Sequence, residues 1–236
     1  MRVYPARTMK HYPRLALAAL SIALLAMSAS QDGTNGKDDG PDFGETVQLF
    51  NGKNLDGWTA HFRDGSTDPA QAFFVEDGIL KCKGRPIGYL HTKKKYTSYE
   101  LIVEWRFNAE KGAGNSGVLM RVIGDNKVWP NSIEAQLHSR NAGDIWNIGG
   151  FEMKTDSERT EGRRTIKAHE TNEKPLGEWN RYKILLDGGN LTLEVNGLVQ
   201  NVATGCKVVA GPIGLQSEGA WIEFRKVQLR EITTDK

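Results

Sequence analysis

Apolar and polar positions alternate along this chain in short runs punctuated by turn residues, and no segment sustains an apolar repeat of 3.6. Side chains of a strand point alternately to its two faces, so the pattern predicts strands. Tyr99, Leu101, Val103, Trp105 and Phe107 alternate with Glu100, Ile102, Glu104 and Arg106, predicting a long strand with an apolar inner face. Phe73–Val75 and Ile79–Cys82 flank Glu76-Asp77-Gly78, a hairpin signal. Arg181–Leu186, the turn Asp187–Asn190, Leu191–Val195, the turn Asn196-Gly197 and Leu198–Gln200 predict a meander. Gly211–Gln216 and Ala220–Ile232 predict two closing strands, and Trp58, after the turn Asp56-Gly57, is expected to pack on the body.

The stretch Asn115–His138 carries the candidate chemistry. It reads NSGVLMR, a turn-rich loop, then SIEAQLH. Val118 and Met120 point one way, and Gly117, Leu119 and Arg121 the other. Ile133, Ala135 and Leu137 point one way, and Ser132, Glu134, Gln136 and His138 the other. Arg121, Glu134, Gln136 and His138 are therefore expected on one polar sheet face, with an apolar layer behind it. Glu134 and His138, four apart in an extended strand, are about 13 Å from each other. Each has a plainer reading: Glu134 as a solvated outer-face residue, His138 as an edge residue, and Arg121 as a cross-strand partner of Glu134.

Turn signals recurring every 8–12 residues and 26 glycines predict an all-β antiparallel sandwich or barrel. A sandwich leaves outer faces free, and a curved polar one makes a cleft. Among six tryptophans, Trp129 and Trp146 flank the cleft strands and suit stacking on a flat ligand ring. Trp105, Trp179 and Trp221 read as structural. Asn115 reads either as a turn cap or as a hydroxyl ligand.

Residues 1–30 are set apart from the fold. Arg2, Arg7, Lys10 and Arg14 precede the apolar run Leu15–Met27, and small residues at 26–30 offer a cleavage site. This is a secretory signal pattern, shorter than the roughly 20 residues of a membrane span, so no stable span is expected after processing. Residues 31–44, rich in Asp, Gly and Asn, read as a flexible spacer, with order expected near Thr46 and one sandwich domain over 45–236. Removing the four basic residues of the leader from 31 leaves 27 Lys and Arg against 29 Asp and Glu. That near-neutral balance gives no reason to expect a nucleic acid partner. Cys82 and Cys206 are either one disulfide, allowed in an oxidising compartment, or two buried thiols.

LFNGKNLDGW at the start, NSGVLMR and IEAQLH in the centre, GEWNRYKI with LEVNG, and the closing GPIGLQSEGAWIEFRKVQLREI together resemble the 3-keto-disaccharide hydrolase, or 3-keto-glucoside lyase/hydratase, domain family. The resemblance spans about residues 45 to 233. It implies a concanavalin A-like jelly-roll sandwich of two antiparallel sheets, a periplasmic or secreted bacterial setting, and an oxidised glycoside as substrate. IEAQLH is also similar to the E-x-D-x-x-E strand of sandwich glycanases, but Gln136 stands in place of Asp and the third carboxylate is absent. That departure counts against ordinary retaining hydrolysis, which needs two carboxylates flanking the bond. Glu104 is the candidate for the second.

A 3-keto group acidifies the C2 proton, so a base can remove it while the C1 glycosidic oxygen leaves; water can then add to the enone. This route needs a base, an acid and a group to hold the enolate. Glu134 and His138 are the candidate bases, Arg121 the candidate enolate ligand, and Gln136, Asn115 and Glu104 candidate hydroxyl ligands. His169, in the polar stretch 151–173, joins them as a candidate substrate ligand. A divalent ion held by Glu134, His138 and His169 is the alternative electrophile. A non-catalytic carbohydrate-binding module and a retaining glycosidase acting on unoxidised sugar are the rival functions.

Overall fold

The computed structural model describes residues 40–125 and 127–233; the expected leader and most of the expected spacer lie outside them. The described residues form sixteen strands, in the order β1 (Phe43–Gln48), β2 (Trp58–Phe62), β3 (Phe73–Glu76), β4 (Ile79–Cys82), β5 (Gly88–Thr92), β6 (Tyr99–Phe107), β7 (Gly117–Ile123), β8 (Asn131–Gln136), β9 (Ile145–Ile148), β10 (Thr160–Glu161), β11 (Arg164–Thr165), β12 (Asn180–Asp187), β13 (Asn190–Val195), β14 (Leu198–Ala203), β15 (Gly214–Ser217) and β16 (Ile222–Ile232). The first strand starts at Phe43, three residues before Thr46. No described helix is long and apolar enough to cross a membrane.

The strands form two antiparallel sheets of eight. In one the order is β14-β13-β12-β6-β16-β4-β3, with β1 beside the far end of β16; in the other it is β10-β11-β9-β8-β7-β15-β5-β2. The fold is the expected all-β jelly-roll sandwich. Non-consecutive neighbours such as β6 and β16 make the pairing long-range, which is why strand existence, but not strand order, is written in the local pattern.

The core lies between the sheets. Tyr99, Leu101, Val103, Trp105 and Phe107 of β6 are all buried there with Val118 and Met120 of β7, Ile133 and Ala135 of β8, and Ile184 and Leu193 of the meander. Apolar burial of this kind contributes roughly 25 cal/mol per Å² and fixes register, because a one-residue slip would turn each row outward. Trp58 packs as expected and donates Nε1–H to the Leu49 carbonyl at 2.6 Å. Cys82 and Cys206 are free, buried thiols.

One strand departs from simple alternation. In β7, Met120 pairs with Ile133 but Ile123 pairs with Asn131, so two residues oppose one. Arg121 sits in this bulge with φ +50°. A bulge re-aims the side chain it carries. Arg121 turns away from the polar face and is fully buried. Its guanidinium donates to the carbonyls of Gly188 (2.6 Å), Lys207 (2.7 Å) and Thr97 (2.9 Å), with Cys206 O at 3.4 Å. The expectation that Arg121 binds an enolate is corrected: it ties three loops together.

Candidate active site

β8 sets the site. Ile133 and Ala135 enter the core, so Ser132, Glu134 and Gln136 face outward on the other sheet surface. Glu134 stands between Leu119 of β7 and Trp146 of β9, and Gly117 stands opposite Gln136. The outer face here is hollowed into a cleft of about 360 Å³. Glu134, Gln136, Asn115, Trp129 and Trp146 all line it, with Ile148, Arg163 and Glu218. Five of the nine candidate residues are thereby brought together.

Glu134 is 5% exposed. Burial, and after it the neighbouring charge of Glu218, push its carboxyl up to about 8, against a smaller opposing effect of the Arg163 guanidinium; a Gln216 amide N–H, were it turned to the carboxylate, would also pull the value down. It reaches this position because Gly117 has no side chain. A Cβ on Gly117 would lie 2.3 Å from Gln216 Oε1 and 2.4 Å from Glu134 Oε1. The glycine is thus the floor over which the two side chains meet.

Glu218 follows β15 and leans back over the cleft. Asn115 donates Nδ2–H to its Oε2 at 2.9 Å, and Trp129 donates Nε1–H to its Oε1 at 3.1 Å. Burial raises its pKa, while the Trp129 N–H and the nearby His138 charge pull it down. Two donors fix the orientation of this carboxylate; Glu134 has no such donor pair.

Several polar atoms are left for a ligand. Asn115 Oδ1 and Trp146 Nε1 are buried and have no partner. Gln136 Oε1 accepts from the backbone N–H of Leu137 (2.8 Å) and His138 (2.7 Å), leaving its amide NH₂ free for the cleft. The Arg163 guanidinium lies 5.8 Å from the Trp146 ring centre and forms no ion pair among the described residues. The loop before β9, which shapes this side, is pinned from below: buried Asp144 pairs with Arg164 at 2.6 Å and accepts the Lys167 backbone N–H at 2.8 Å.

Four expected members fall elsewhere. Arg121 is in the loop staple described above. Glu104 belongs to β6 in the opposite sheet; its neighbours Val103 and Trp105 take the core face, so it points out the far side, where Arg225 and Lys226 (3.3 Å) neutralise it. It cannot be the second carboxylate of this cleft. His138 lies past the end of β8, where the Gln136 side chain takes its backbone N–H and ends the ladder. It is exposed at the rim, with Nδ1 3.1 Å from Ser139 O, and does not line the cleft. His169 is exposed beyond β11, and its backbone N–H bonds to Gln200 Oε1 at 3.3 Å, against β14. Glu134, His138 and His169 therefore do not assemble a cation site, and no cluster of three His, Cys, Asp or Glu suited to a metal occurs among the described residues.

Three polar residues were not expected from sequence: Glu218, Gln216, which stands behind the lining against Glu134, and Arg163. For the first two a signal exists. Ile213 and Leu215 are core residues, so alternation through GLQSE places Gln216 and Glu218 on the opposite face. Arg163 sits in the two-residue turn between β10 and β11, where no periodicity operates.

Fold and cleft together define a glycosidase-like jelly-roll domain. The chain belongs to the 3-keto-alpha-glucoside-1,2-lyase-like domain family, whose model matches residues 45–230. Among solved structures it is similar to a Parabacteroides distasonis protein assigned provisionally to the glycosyl hydrolases, at 20% identity over 80% of this chain and 94% of that one, TM-score 0.59. It is also similar to the kappa-carrageenase of Pseudoalteromonas carrageenovora, at 10% identity over 86% and 100%, TM-score 0.58. A third similarity is to the carbohydrate-binding module CBM66 of Bacillus subtilis, at 13% identity over 73% and 94%, TM-score 0.53. At these identities the likeness is one of fold. No curated protein matches the chain.

Proposed function

We propose that this domain cleaves 3-keto-glycosides in the periplasm or outside the cell, by elimination across C1–C2 followed by hydration. The observation that carries the reading is the pairing of Glu134 and Glu218 in one cleft, with environments that separate their roles. Two carboxyl groups held in different environments divide acid and base work between them. Glu218, oriented by two N–H donors, takes the C2 proton. The C2–H electron pair becomes the C1–C2 double bond, and the C1–O bond breaks. Glu134, protonated at neutral pH, gives its proton to the departing oxygen. Water then adds at C1 of the enone, giving its proton to Glu134, while Glu218 returns a proton to C2.

Arg163 and the unpartnered Trp146 N–H supply the positive end for the charge that develops on the 3-keto oxygen, the role first expected of Arg121. Asn115 Oδ1 and the Gln136 NH₂ offer an acceptor and donors to ring hydroxyls. Trp129 and Trp146 offer faces for the sugar ring.

The presence of Glu218 also favours a second reading. It supplies the second carboxylate that ordinary retaining hydrolysis requires. Incubation with 3-keto-glucosides and with their unoxidised parents in heavy water separates the two. Deuterium entering at C2, or an enone, from the keto form alone supports elimination. Equal cleavage of the parent sugar without C2 exchange replaces it with hydrolysis. Binding without any turnover would move the domain to the carbohydrate-binding modules.

A further inference from the structure

Gln216 lies outside the proton transfers above and behind the lining of the cleft, yet its placement against Glu134 is closely fixed. β15 pairs with β7 through Gly214↔Leu119 and Leu215↔Val118, so in continuing register Gln216 stands beside Gly117. Its Oε1 and the Glu134 Oε1 both crowd the spot a Gly117 Cβ would take. Gln216 is 2% exposed, and its Oε1 is buried without a hydrogen-bond partner. An N–H of Gln216 turned to the carboxylate would lower the Glu134 pKa, but the Gln216 atom that meets Glu134 above Gly117 is Oε1. A buried acceptor left unmade is costly, and two acceptor oxygens side by side repel unless a proton lies between them.

We propose that Gln216 is the positioning residue of the cleft: its Oε1 accepts the carboxyl proton of Glu134 above Gly117, and so fixes Glu134 as the proton donor. This rests on the reading of Glu134 as the acid, but the hydrogen bond itself exists without turnover. The bond holds the Glu134 carboxyl from one side and leaves its other oxygen to face the glycosidic oxygen. The remaining charged groups around Glu134 are Glu218, from the loop after β15, and Arg163, from the turn between β10 and β11. The neighbours Leu119 on β7 and Trp146 on β9 carry none.

The test follows the Glu134 carboxyl by ¹³C NMR in the full chain labelled at the glutamate carboxyl carbon, the signal being assigned by its loss in Glu134→Gln. In Gln216→Leu the shape is kept and water stays out, but the acceptor is gone. The neutral acid loses its partner and the anion loses an opposing dipole, so the midpoint is expected to fall by about one pH unit or more. A midpoint that stays or rises overturns the proposal, since it would mean that Gln216 donates N–H or does nothing. In the unmutated protein the Gln216 side-chain amide ¹⁵N signal is expected to titrate with the same midpoint as Glu134; a flat signal also overturns it, and this needs no variant to fold. Turnover of a 3-keto-glucoside is measured alongside, with kcat expected to fall about tenfold or more in Gln216→Leu and KM little changed. If the wild type turns nothing over while the midpoint still falls, the reaction assigned to the cleft fails and the role of Gln216 stands.

Discussion

The indole N–H of Trp129 and the carboxylate of Glu218, 89 positions apart, meet at 3.1 Å across the mouth of the cleft. Trp129 is otherwise 46% exposed and has the guanidinium of Arg63 5.3 Å from its ring centre. One bond therefore joins a candidate sugar platform to a candidate base. The N–H lowers the Glu218 pKa, so Trp129→Phe should raise it while keeping an aromatic face. A base works above its pKa, so the acidic limb of kcat/KM for a 3-keto-glucoside should move to higher pH, with binding reduced only a few-fold. An unmoved limb would remove Glu218 from the role of base.

Glu134 carries a stability signature as well as a chemical one. Its carboxyl is raised from 4.5 to about 8 in the folded chain. Between those values the folded state holds a proton that the unfolded state has released, so stability falls as pH rises through this window and the loss is complete above about 8. The full span corresponds to roughly 4–5 kcal/mol. Glu134→Gln lacks the titration, so the variant should gain on the wild type between pH 5 and 8.5, by a relative Tm change on the order of 10 °C. Thermal melts of both proteins across that range check it. Turnover should fall roughly 100- to 10,000-fold while ligand binding persists.

How much of this was legible in the sequence depends on which rule governed each residue. Glu134 and Gln136 were legible because β8 alternates without interruption and one of its faces is core. Arg121 was misplaced because alternation assumes an unbroken ladder, and the bulge after Met120 breaks it. Nothing in GVLMRVI marks the extra residue. Glu104 was legible on the outward face of its strand, but which sheet that strand joins was not, since strand order comes from long-range pairing. Glu218 was within reach of alternation carried one residue past β15, but Arg163 lies in a turn, where tertiary approach, not period, decides what a side chain faces.

Arg121 yields a prediction opposite to the one its position first suggested. Substitution with Leu should leave turnover per folded molecule near the wild-type value. It should destabilise the fold by about 3–5 kcal/mol, because the carbonyls of Gly188, Lys207 and Thr97 lose the charged donor they share, and a fully buried guanidinium is removed from between three loops. Lys would not restore the loss, since one ammonium cannot reproduce a fork bonded to separate loops. Urea unfolding beside a turnover assay separates stability from chemistry, and a stable but inactive Leu variant would return Arg121 to the site.

Gly117 is the position where a single methyl group should distinguish chemistry from folding. The Cβ of Gly117→Ala would sit 2.4 Å from Glu134 Oε1 and 2.3 Å from Gln216 Oε1, and 2.9 Å from the Glu134 carboxyl carbon. These are ends of flexible side chains, so they can swing aside at modest cost in stability. They cannot do so and keep the carboxyl over the glycine. A displacement of about 1 Å in a reacting group can cost on the order of 100-fold in rate. Gly117→Ala should therefore fold with a Tm within several degrees of the wild type and lose about 100-fold in kcat on a 3-keto-glucoside. The Glu134 midpoint should fall as its carboxyl leaves the Gln216 acceptor and meets solvent. A variant that keeps full turnover would show that the carboxyl need not lie above Gly117 for the reaction.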